Sequence, residues 1–323
     1  SEHLTNSQLL SSHILQNLQT KAAKTLKALT SIDENGQEII IAPFFKNPEK
    51  DDFTNIEAAR NLGNLAYKLA SDAQLKEVSI QSELSEEYTY AFVEGLALSN
   101  YKFDKYKSKA TTLIDNIYVS QDNFTQEAVN TLNNIVKSVF YGRDIVNEPL
   151  STLKAKEISE SAKKVSDEAG IQYKELGVDA IRSLKMGGGL GVNQGSELEP
   201  TFTVLEWKPE NAINKKPIVL VGKGVVYDTG GYSIKVGDGM MTMKCDMGGA
   251  AAVFGSTYLA ALEKLPLHII TLVPAVENRI NERAFVPGDV LTISDGTTIE
   301  VLNTDAEGRL ILADALVYAR QFD

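Results

Sequence analysis

The sequence has little of what several common enzyme classes depend on. Its 323 residues include one cysteine, Cys245, and three histidines, His3, His13 and His268. A single cysteine excludes an internal disulfide and suits a reducing compartment. His3 and His13 lie in a poorly patterned start, and His268 opens an apolar strand, so a Ser-His-Asp or Cys-His mechanism has little to draw on. The His-Glu-x-x-His motif of zinc peptidases is also missing from the sequence.

Basic charge and long apolar runs are scarce as well. The formal net charge is −11, which argues against nucleic acid as a partner because nucleic-acid binders present a basic face. No apolar run approaches the ~20 residues of a membrane span, and the polar residues 1–6 contain no signal-peptide core. We therefore expect a cytoplasmic protein with no membrane partner.

The alternation of apolar patterns predicts a small α/β layer in the first part of the chain. With 43% hydrophobic and 23% charged residues, the composition is that of an ordinary globular protein. The length is enough for about two domains. The strand and helix patterns alternate along the chain at residues 38–43, 56–70, 75–80, 88–98 and 112–119.

A long helical pattern over residues 125–146 marks the end of this first part. It stops before Pro149, because proline disfavours a helical conformation in the residue that precedes it. We therefore predict an N-terminal α/β domain with a linker helix over residues 1–148 and a second domain over 149–323. Strand and helix patterns alternate again in the second domain, which predicts an α/β fold with a mixed, largely parallel sheet flanked by helices.

Carboxylates gather in the second domain where strand patterns end and helix patterns begin. Asp228 follows an apolar strand through a glycine-rich turn, and Asp246 precedes a helix. Asp305 and Glu307 lie between a strand pattern and a helix. Open α/β sheets place their ligand crevices at the carboxyl ends of strands. Carboxylates collected there would repel one another unless divalent cations neutralised them, and oxygen ligands without histidine favour Mn²⁺, Mg²⁺ or Zn²⁺.

Each of these segments also has a purely structural interpretation. Thr304 and Glu307 have the spacing of a capping box, and taken alone that is the commoner meaning of such a segment. It leaves Asp305 and Arg309 unexplained. The glycine-rich stretch at residues 186–191 lacks the spacing of a dinucleotide or phosphate loop and is weak grounds for either ligand.

Residues 303–310, Asn-Thr-Asp-Ala-Glu-Gly-Arg-Leu, match the signature octapeptide of the cytosolic leucyl aminopeptidases. Other blocks resemble the family in the same order, at residues 222–224, 227–231, 234–235 and 246–250. The resemblance runs from about Arg143 to Arg320. It implies a two-metal exopeptidase with a small α/β domain followed by a catalytic α/β domain.

The resemblance assigns metal ligands by motif position. Asp228 and Glu307 would bridge two divalent ions, Mn²⁺ or Zn²⁺ with Mg²⁺ as a further candidate. Lys223 and Asp246 would complete one metal site, and Asp305 the other. A lysine ligand is unusual because it needs a strongly lowered pKa beside the metal.

The resemblance also implies catalytic and specificity roles. Lys235 would polarise the scissile carbonyl, and Arg309 would hold a bicarbonate ion that acts as general base. Met243 and Asn303 would belong to the pocket for the first side chain of the substrate. Two metals can lower the pKa of a shared water, which makes a histidine base unnecessary.

The expected activity is therefore removal of N-terminal residues, leucine among them, from peptides with a free N-terminus. Two alternatives remain open at this point: a non-catalytic family fragment that serves as a metal-binding or assembly scaffold, and a metal-dependent phosphohydrolase. The resemblance further implies a homo-oligomer, a hexamer. Because the chain ends at Asp323 inside a helical pattern, and family members continue further, we expect the catalytic sheet to be incomplete.

Overall fold

The computed structural model describes residues 29–32, 38–44, 46–121 and 124–322. They divide into two compact units, one ending at Val136 and the other beginning at Lys137. The division falls inside a helix, Gln126–Asn147, which corresponds to the predicted linker helix. The domain boundary expected at Pro149 lies just beyond the end of this helix and stays a prediction.

In its described residues before the linker helix, the first unit combines two small strand ladders with two helices. Its elements are, in order, β1 Leu29–Ile32, β2 Glu38–Ile41, α1 Asp52–Asp72, β3 Glu77–Gln81, α2 Glu86–Ser99 and β4 Asn116–Ser120. β1 pairs with β2 in antiparallel fashion, and β3 pairs with β4 in parallel. The two helices approach closely at Gly63, where an added Cβ atom would lie only 2.0 Å from the Phe92 carbonyl oxygen.

The second unit is built around a five-stranded mixed sheet. Its elements follow the linker helix, here α3, as α4 Ala155–Ala169, β5 Gln172–Leu176, α5 Val178–Ser183, α6 Gly187–Val192, β6 Thr201–Trp207, β7 Ile218–Val221, β8 Gly224–Asp228, α7 Gly248–Leu262, β9 Ile269–Asn278, β10 Val290–Thr292, β11 Thr298–Glu300 and α8 Glu307–Ala319. The sheet order is β5-β6-β9-β7, with β8 also paired to β9. Two pairings are antiparallel and two are parallel. The predicted α/β fold with a mixed, helix-flanked sheet is confirmed, although only half of these pairings are parallel where a largely parallel sheet was expected.

The central strand β9 is buried over all ten of its residues. Successive side chains of a strand point to opposite faces. Val273 and Ala275 accordingly belong to the core shared with α4 and α7, whereas Ile270 and Leu272 belong to the core shared with α8. A strand covered on both faces is largely apolar, which is why most of this stretch is hydrophobic and its polar residues are Thr271, Glu277 and Asn278.

The strand that leads into residues 303–310 lies outside this sheet. Among the described strands, β11 pairs with β10 alone, in a separate antiparallel ladder. Asp305 and Glu307 therefore follow a strand, as expected, but that strand belongs to the two-stranded ladder and not to the five-stranded sheet. The turn that begins at Thr304, after this short ladder, places both carboxylates at the edge of the five-stranded sheet.

The glycine-rich stretch at residues 186–191 forms α6, and its glycines serve close packing. A Cβ atom on Gly187 would lie 2.0 Å from the Thr292 carbonyl oxygen, and one on Gly188 would lie 2.2 Å from the Leu310 carbonyl oxygen. The amide of Gly189 donates to the buried carboxylate of Asp314 at 3.0 Å. Contact with α8 and β10 thus explains the glycines without a nucleotide.

None of the helices in the described ranges combines the length and the apolar character needed to cross a membrane.

Candidate active site

Five of the predicted residues converge at the ends of β7, β8 and β9. Lys223 lies in the two-residue link between β7 and β8, and Asp228 is the last residue of β8. Both strands run parallel to β9, so their carboxyl ends face the same edge of the sheet. Asp246 comes two residues before α7, Glu307 opens α8, and Asp305 lies in the 3₁₀ turn Thr304–Ala306.

Lys223 bridges two carboxylates. Its Nζ lies 2.8 Å from Asp246 Oδ1 and 2.6 Å from Glu307 Oε1. A Cβ atom on Gly308 would lie 2.8 Å from the Lys223 side chain, so a glycine at that position makes room for the lysine. Burial lowers the pKa of Lys223, but its hydrogen bonds to Asp246 and Glu307 outweigh burial, and its pKa is raised overall. Burial raises the pKa of Asp246 to about 6 in spite of the lysine beside it.

Lys235 bridges the other two carboxylates. Its Nζ lies 2.8 Å from Asp228 Oδ2 and 2.5 Å from Asp305 Oδ1. Burial works against the ammonium form here too, yet the hydrogen bonds to Asp228 and Asp305 raise the pKa of Lys235 overall. The lysine is therefore held charged between the two aspartates.

Thr304 ties these two parts of the site together. Its hydroxyl donates to the Gly230 carbonyl at 2.6 Å and accepts from the Ser233 amide at 2.7 Å. Its own amide donates to Ser233 Oγ at 3.1 Å. The capping-box interpretation is thus wrong for Thr304, whose hydroxyl bonds a segment more than 70 residues away in sequence. Asn303 performs the local capping instead, accepting from the Asp305 amide at 2.8 Å.

The turn after Asp228 depends on two glycines. Gly230 and Gly231 adopt φ values of +84° and +60°, a left-handed conformation that glycine reaches without a Cβ penalty. A Cβ atom on Gly231 would also lie 2.9 Å from Thr304 Oγ1. The turn lets the chain reverse and return Lys235 towards Asp228.

The donor set fits divalent cations. One carboxylate oxygen from each of Asp228, Asp305 and Glu307 lies within 4.8 Å of the others. Among the described residues, Asp246 Oδ2 and Glu307 Oε2 are buried and accept no hydrogen bond. A buried acceptor without a donor is energetically costly, and hard cations satisfy such oxygens.

The remaining predicted residues lie around this cluster. Arg309, in the first turn of α8, is exposed, and within the described ranges its guanidinium makes no ion pair. Met243 opens the 3₁₀ turn Met243–Cys245 and is half-buried. The preceding loop is fastened by Tyr227, whose hydroxyl donates to the Met240 carbonyl at 3.2 Å. Asn303 is exposed beside Asp305.

Two residues at the site were missed by the sequence analysis. Asn278, the last residue of β9, donates to Asp228 Oδ1 at 2.8 Å. Lys244 donates through Nζ to the Asn147 carbonyl at 2.5 Å and so anchors the turn that carries Met243. In the sequence, Asn278 is recognisable as a polar residue at the end of a long, largely apolar strand.

Comparison with known proteins places the chain in a family. A family model described as the catalytic domain of the cytosol aminopeptidase family matches residues 140–323. The chain is 40% identical over 267 residues to a probable cytosol aminopeptidase of Solibacter usitatus, covering 81% of this chain and 56% of the relative. It is 41% identical over 247 residues to one of Chlorobium limicola, covering 72% and 48%. The chain thus spans about half the length of these curated relatives.

A solved structure shares the fold. The bottromycin maturation enzyme BotP, in complex with Mn, superposes with a TM-score of 0.81 at 26% identity, covering 90% of this chain and 62% of that one. The match includes most of the described residues of both units. By its family model and its relatives, the chain belongs to the cytosol aminopeptidase family.

Proposed function

We propose that this protein is a metal-dependent exopeptidase that removes N-terminal residues, leucine among them, from peptides. The observation that carries the proposal is the convergence of four carboxylates and two lysines, in which two buried carboxylate oxygens have no donor among the described residues. Such a set is an anionic receptor that accepts both cations and the amino group of a peptide.

The residues that would hold two divalent ions are Lys223, Asp228, Asp246, Asp305 and Glu307. Lys223 would ligate as the neutral amine, so cation binding has to displace the proton that Asp246 and Glu307 stabilise by raising the pKa of the lysine. Mn²⁺ or Zn²⁺ suits these ligands, with Mg²⁺ as a further candidate. When bound, two such ions supply an activated water and electrostatic stabilisation of the developing charge. Manganese in the BotP structure supports this choice of metal for a related fold.

Lys235 supplies a charged donor next to this cluster. Its raised pKa keeps the ammonium form, and its 16% exposure leaves it in a largely desolvated position. A donor held in such a place stabilises an oxyanion more strongly than one in water. We assign it to the carbonyl oxygen of the bond that is cleaved.

Arg309 offers an exposed guanidinium one residue beyond Gly308. Its planar fork of donors suits a bidentate oxyanion, and we propose that it holds bicarbonate as the general base. Met243 and Asn303 are proposed to contact the first side chain of the substrate. The names of the relatives support a cytoplasmic location, and the homo-hexamer remains a prediction.

The test is release of leucine from a leucyl peptide or leucyl anilide by chelator-treated protein, with and without Mn²⁺ or Zn²⁺. We expect hydrolysis to depend on added metal and to stop in Asp305→Ala and Glu307→Ala. Asp295→Ala, at a carboxylate that pairs with Arg320 on the surface, is the matched control and should retain activity.

Four results would overturn this function. Full activity in either site variant would remove the metal site from the mechanism. Cleavage of an N-acetylated leucyl substrate at the same rate would refute an exopeptidase. Tight metal binding without turnover would favour the scaffold, and preferential cleavage of p-nitrophenyl phosphate would favour the phosphohydrolase.

A further inference from the structure

Asn278 is a wholly buried amide at the carboxyl end of the central strand. It lies opposite Asp228 in the register of β8 and β9, and its exposure is 0%. Its backbone carbonyl accepts from both the amide and the hydroxyl of Thr229, at 3.0 and 2.9 Å. The position of the residue is therefore fixed by main-chain hydrogen bonds, independently of its side-chain contacts.

The side-chain amide joins two separate segments of the site. Nδ2 donates to Asp228 Oδ1 at 2.8 Å and to the Thr304 carbonyl at 2.9 Å. Asp228 ends β8, whereas Thr304 directly precedes Asp305 in the 3₁₀ turn. One NH₂ group thus contacts a carboxylate and the backbone next to another carboxylate.

The orientation of this amide is determined by its partners. A carboxylate and a backbone carbonyl only accept hydrogen bonds, so the NH₂ group must face both of them. The opposite atom, Asn278 Oδ1, lies towards Gly231, where a Cβ atom would approach it to 2.9 Å. A glycine at that position leaves space for the amide oxygen.

The hydrogen bond from Asn278 also determines which oxygen of Asp228 is bonded to neighbouring amide groups. Oδ1 accepts from Asn278 and from the Gly230 amide at 2.9 Å. Oδ2 faces Lys235 at 2.8 Å. The carboxylate is held by Oδ1, and Oδ2 remains directed into the cluster.

We propose that Asn278 is a positioning residue that sets the cation affinity of the site. It does so by orienting the Asp228 carboxylate and by fixing the turn that carries Asp305. The proposal rests on the cation-binding part of the proposed function and is independent of the substrate. Residues that orient metal ligands in this way typically change metal affinity by about 10- to 100-fold when replaced.

The test is isothermal titration of Mn²⁺ into the chelator-treated full chain. Asn278→Leu keeps the number and branching of the side-chain heavy atoms and removes both donated hydrogen bonds. We expect its Kd for Mn²⁺ to rise about 10- to 100-fold. Asn278→Ser retains one hydroxyl donor and leaves room for a water, so we expect a smaller rise, about threefold or more.

Thr271→Val is the matched control. Thr271 lies in the same strand, is wholly buried, and shares a 2.5 Å hydrogen bond with Thr257 rather than with the site. The valine loses that bond and lowers Tm, but its Kd for Mn²⁺ should stay within about twofold of wild type, since distant sites act independently. Affinity compared at matched loss of Tm separates positioning from general stability.

The outcomes distinguish this inference from the proposed function. Wild-type Mn²⁺ affinity in both Asn278 variants, or an equal loss in Thr271→Val, would overturn the positioning role. A wild-type protein that binds Mn²⁺ but releases no amino acid would refute the exopeptidase and leave the role of Asn278 intact. A wild-type protein that binds no Mn²⁺ would refute both.

Discussion

Two lysines of the site each bridge two carboxylates, yet they leave their partners in different states. Asp246 and Glu307, which flank Lys223, each keep one buried oxygen that accepts no hydrogen bond from the described residues. Asp228, which contacts Lys235, has both oxygens engaged, by backbone and amide donors on Oδ1 and by the lysine on Oδ2.

This difference indicates a division of labour. The carboxylates around Lys223 have unused acceptor capacity, which a cation satisfies. The Asp228 carboxylate beside Lys235 is already oriented by its hydrogen bonds. Lys235 itself carries the N–H groups that can be redirected towards another acceptor. We therefore propose that Lys223 ligates a cation and that Lys235 donates a hydrogen bond, the roles that the sequence resemblance implies.

A third pair provides a reference outside the site. Lys137 forms an ion pair with Glu168, and the two side chains are 49% and 48% exposed. Exposed pairs of this kind contribute little, roughly 0.2–1 kcal/mol. Variants of this pair therefore report the effect of removing a lysine or a carboxylate whose remaining hydrogen-bonding atoms are hydrated by solvent.

The largest effect is expected from Lys235→Met. Loss of a preorganised oxyanion donor typically lowers kcat by about 10²- to 10³-fold, and added Mn²⁺ should not restore it. Mn²⁺ binding should persist, because the aspartates around Lys235 lose a competing cation. Steady-state hydrolysis of a leucyl anilide at saturating Mn²⁺ measures this, with Lys137→Met as the control. A kcat close to that of wild type would remove Lys235 from the chemistry.

Lys223→Met should lose activity through weaker metal binding rather than through a lower kcat at saturating metal. We expect the Kd for Mn²⁺ to rise at least about tenfold, because one nitrogen ligand is lost from the pair of sites. Activity should return in part at high Mn²⁺ concentration, unlike that of the Lys235 variant. Titrating activity against Mn²⁺ in both variants checks the comparison directly. If Lys235→Met were the variant rescued by metal, the assigned roles would be reversed.

The sequence identified the charged residues of this division but not the geometry that separates them. The α/β class, the mixed sheet and the convergence of Asp228, Asp246, Asp305 and Glu307 followed from strand ends and helix starts. Which lysine contacts which carboxylates depends on the positive-φ turn after Asp228, and no periodic pattern encodes that contact.

Long-range polar contacts were the other part that the sequence did not reveal. Thr304 has the spacing of a capping residue, and only the structure shows its hydroxyl bonded to Gly230 and Ser233. Asn278 is one polar residue after an apolar run, and its two acceptors come from segments distant in sequence. Local patterns predict elements well, whereas a partner more than 20 residues away depends on how those elements pack.

Removal of the cations should have a smaller but general effect on stability. A ligand that binds only the folded state stabilises it by about 2.7 kcal/mol at a concentration 100 times its Kd. We therefore expect Mn²⁺ to raise the Tm of chelator-treated protein and EDTA to reverse the rise. Glu307→Gln should abolish most of this shift, while Glu168→Gln should keep it. An equal shift in both variants would locate Mn²⁺ binding elsewhere.

The smallest effect concerns the reference pair. The hydrogen bond from Lys137, followed by that from Tyr258, holds the pKa of Glu168 below its usual 4.5. A carboxylate with a lowered folded-state pKa contributes stability above its unfolded pKa and loses it as the pH falls through its folded pKa. Glu168→Gln should therefore cost a few tenths of a kcal/mol at about pH 7, after screening. The difference in free energy of unfolding from wild type should shrink as the pH falls below the unfolded pKa and through the lowered folded-state pKa.

Salt and pH together distinguish this exposed pair from the buried ones. Added salt weakens exposed pairs far more than buried ones, so about 1 M NaCl should remove most of the Glu168→Gln difference measured by thermal unfolding. The Lys235→Met loss of kcat should survive the same salt, because its partners lie in a largely desolvated cluster. If salt erased both effects, Lys235 would behave as a surface charge, and burial would not explain why the two lysines of the site differ from Lys137.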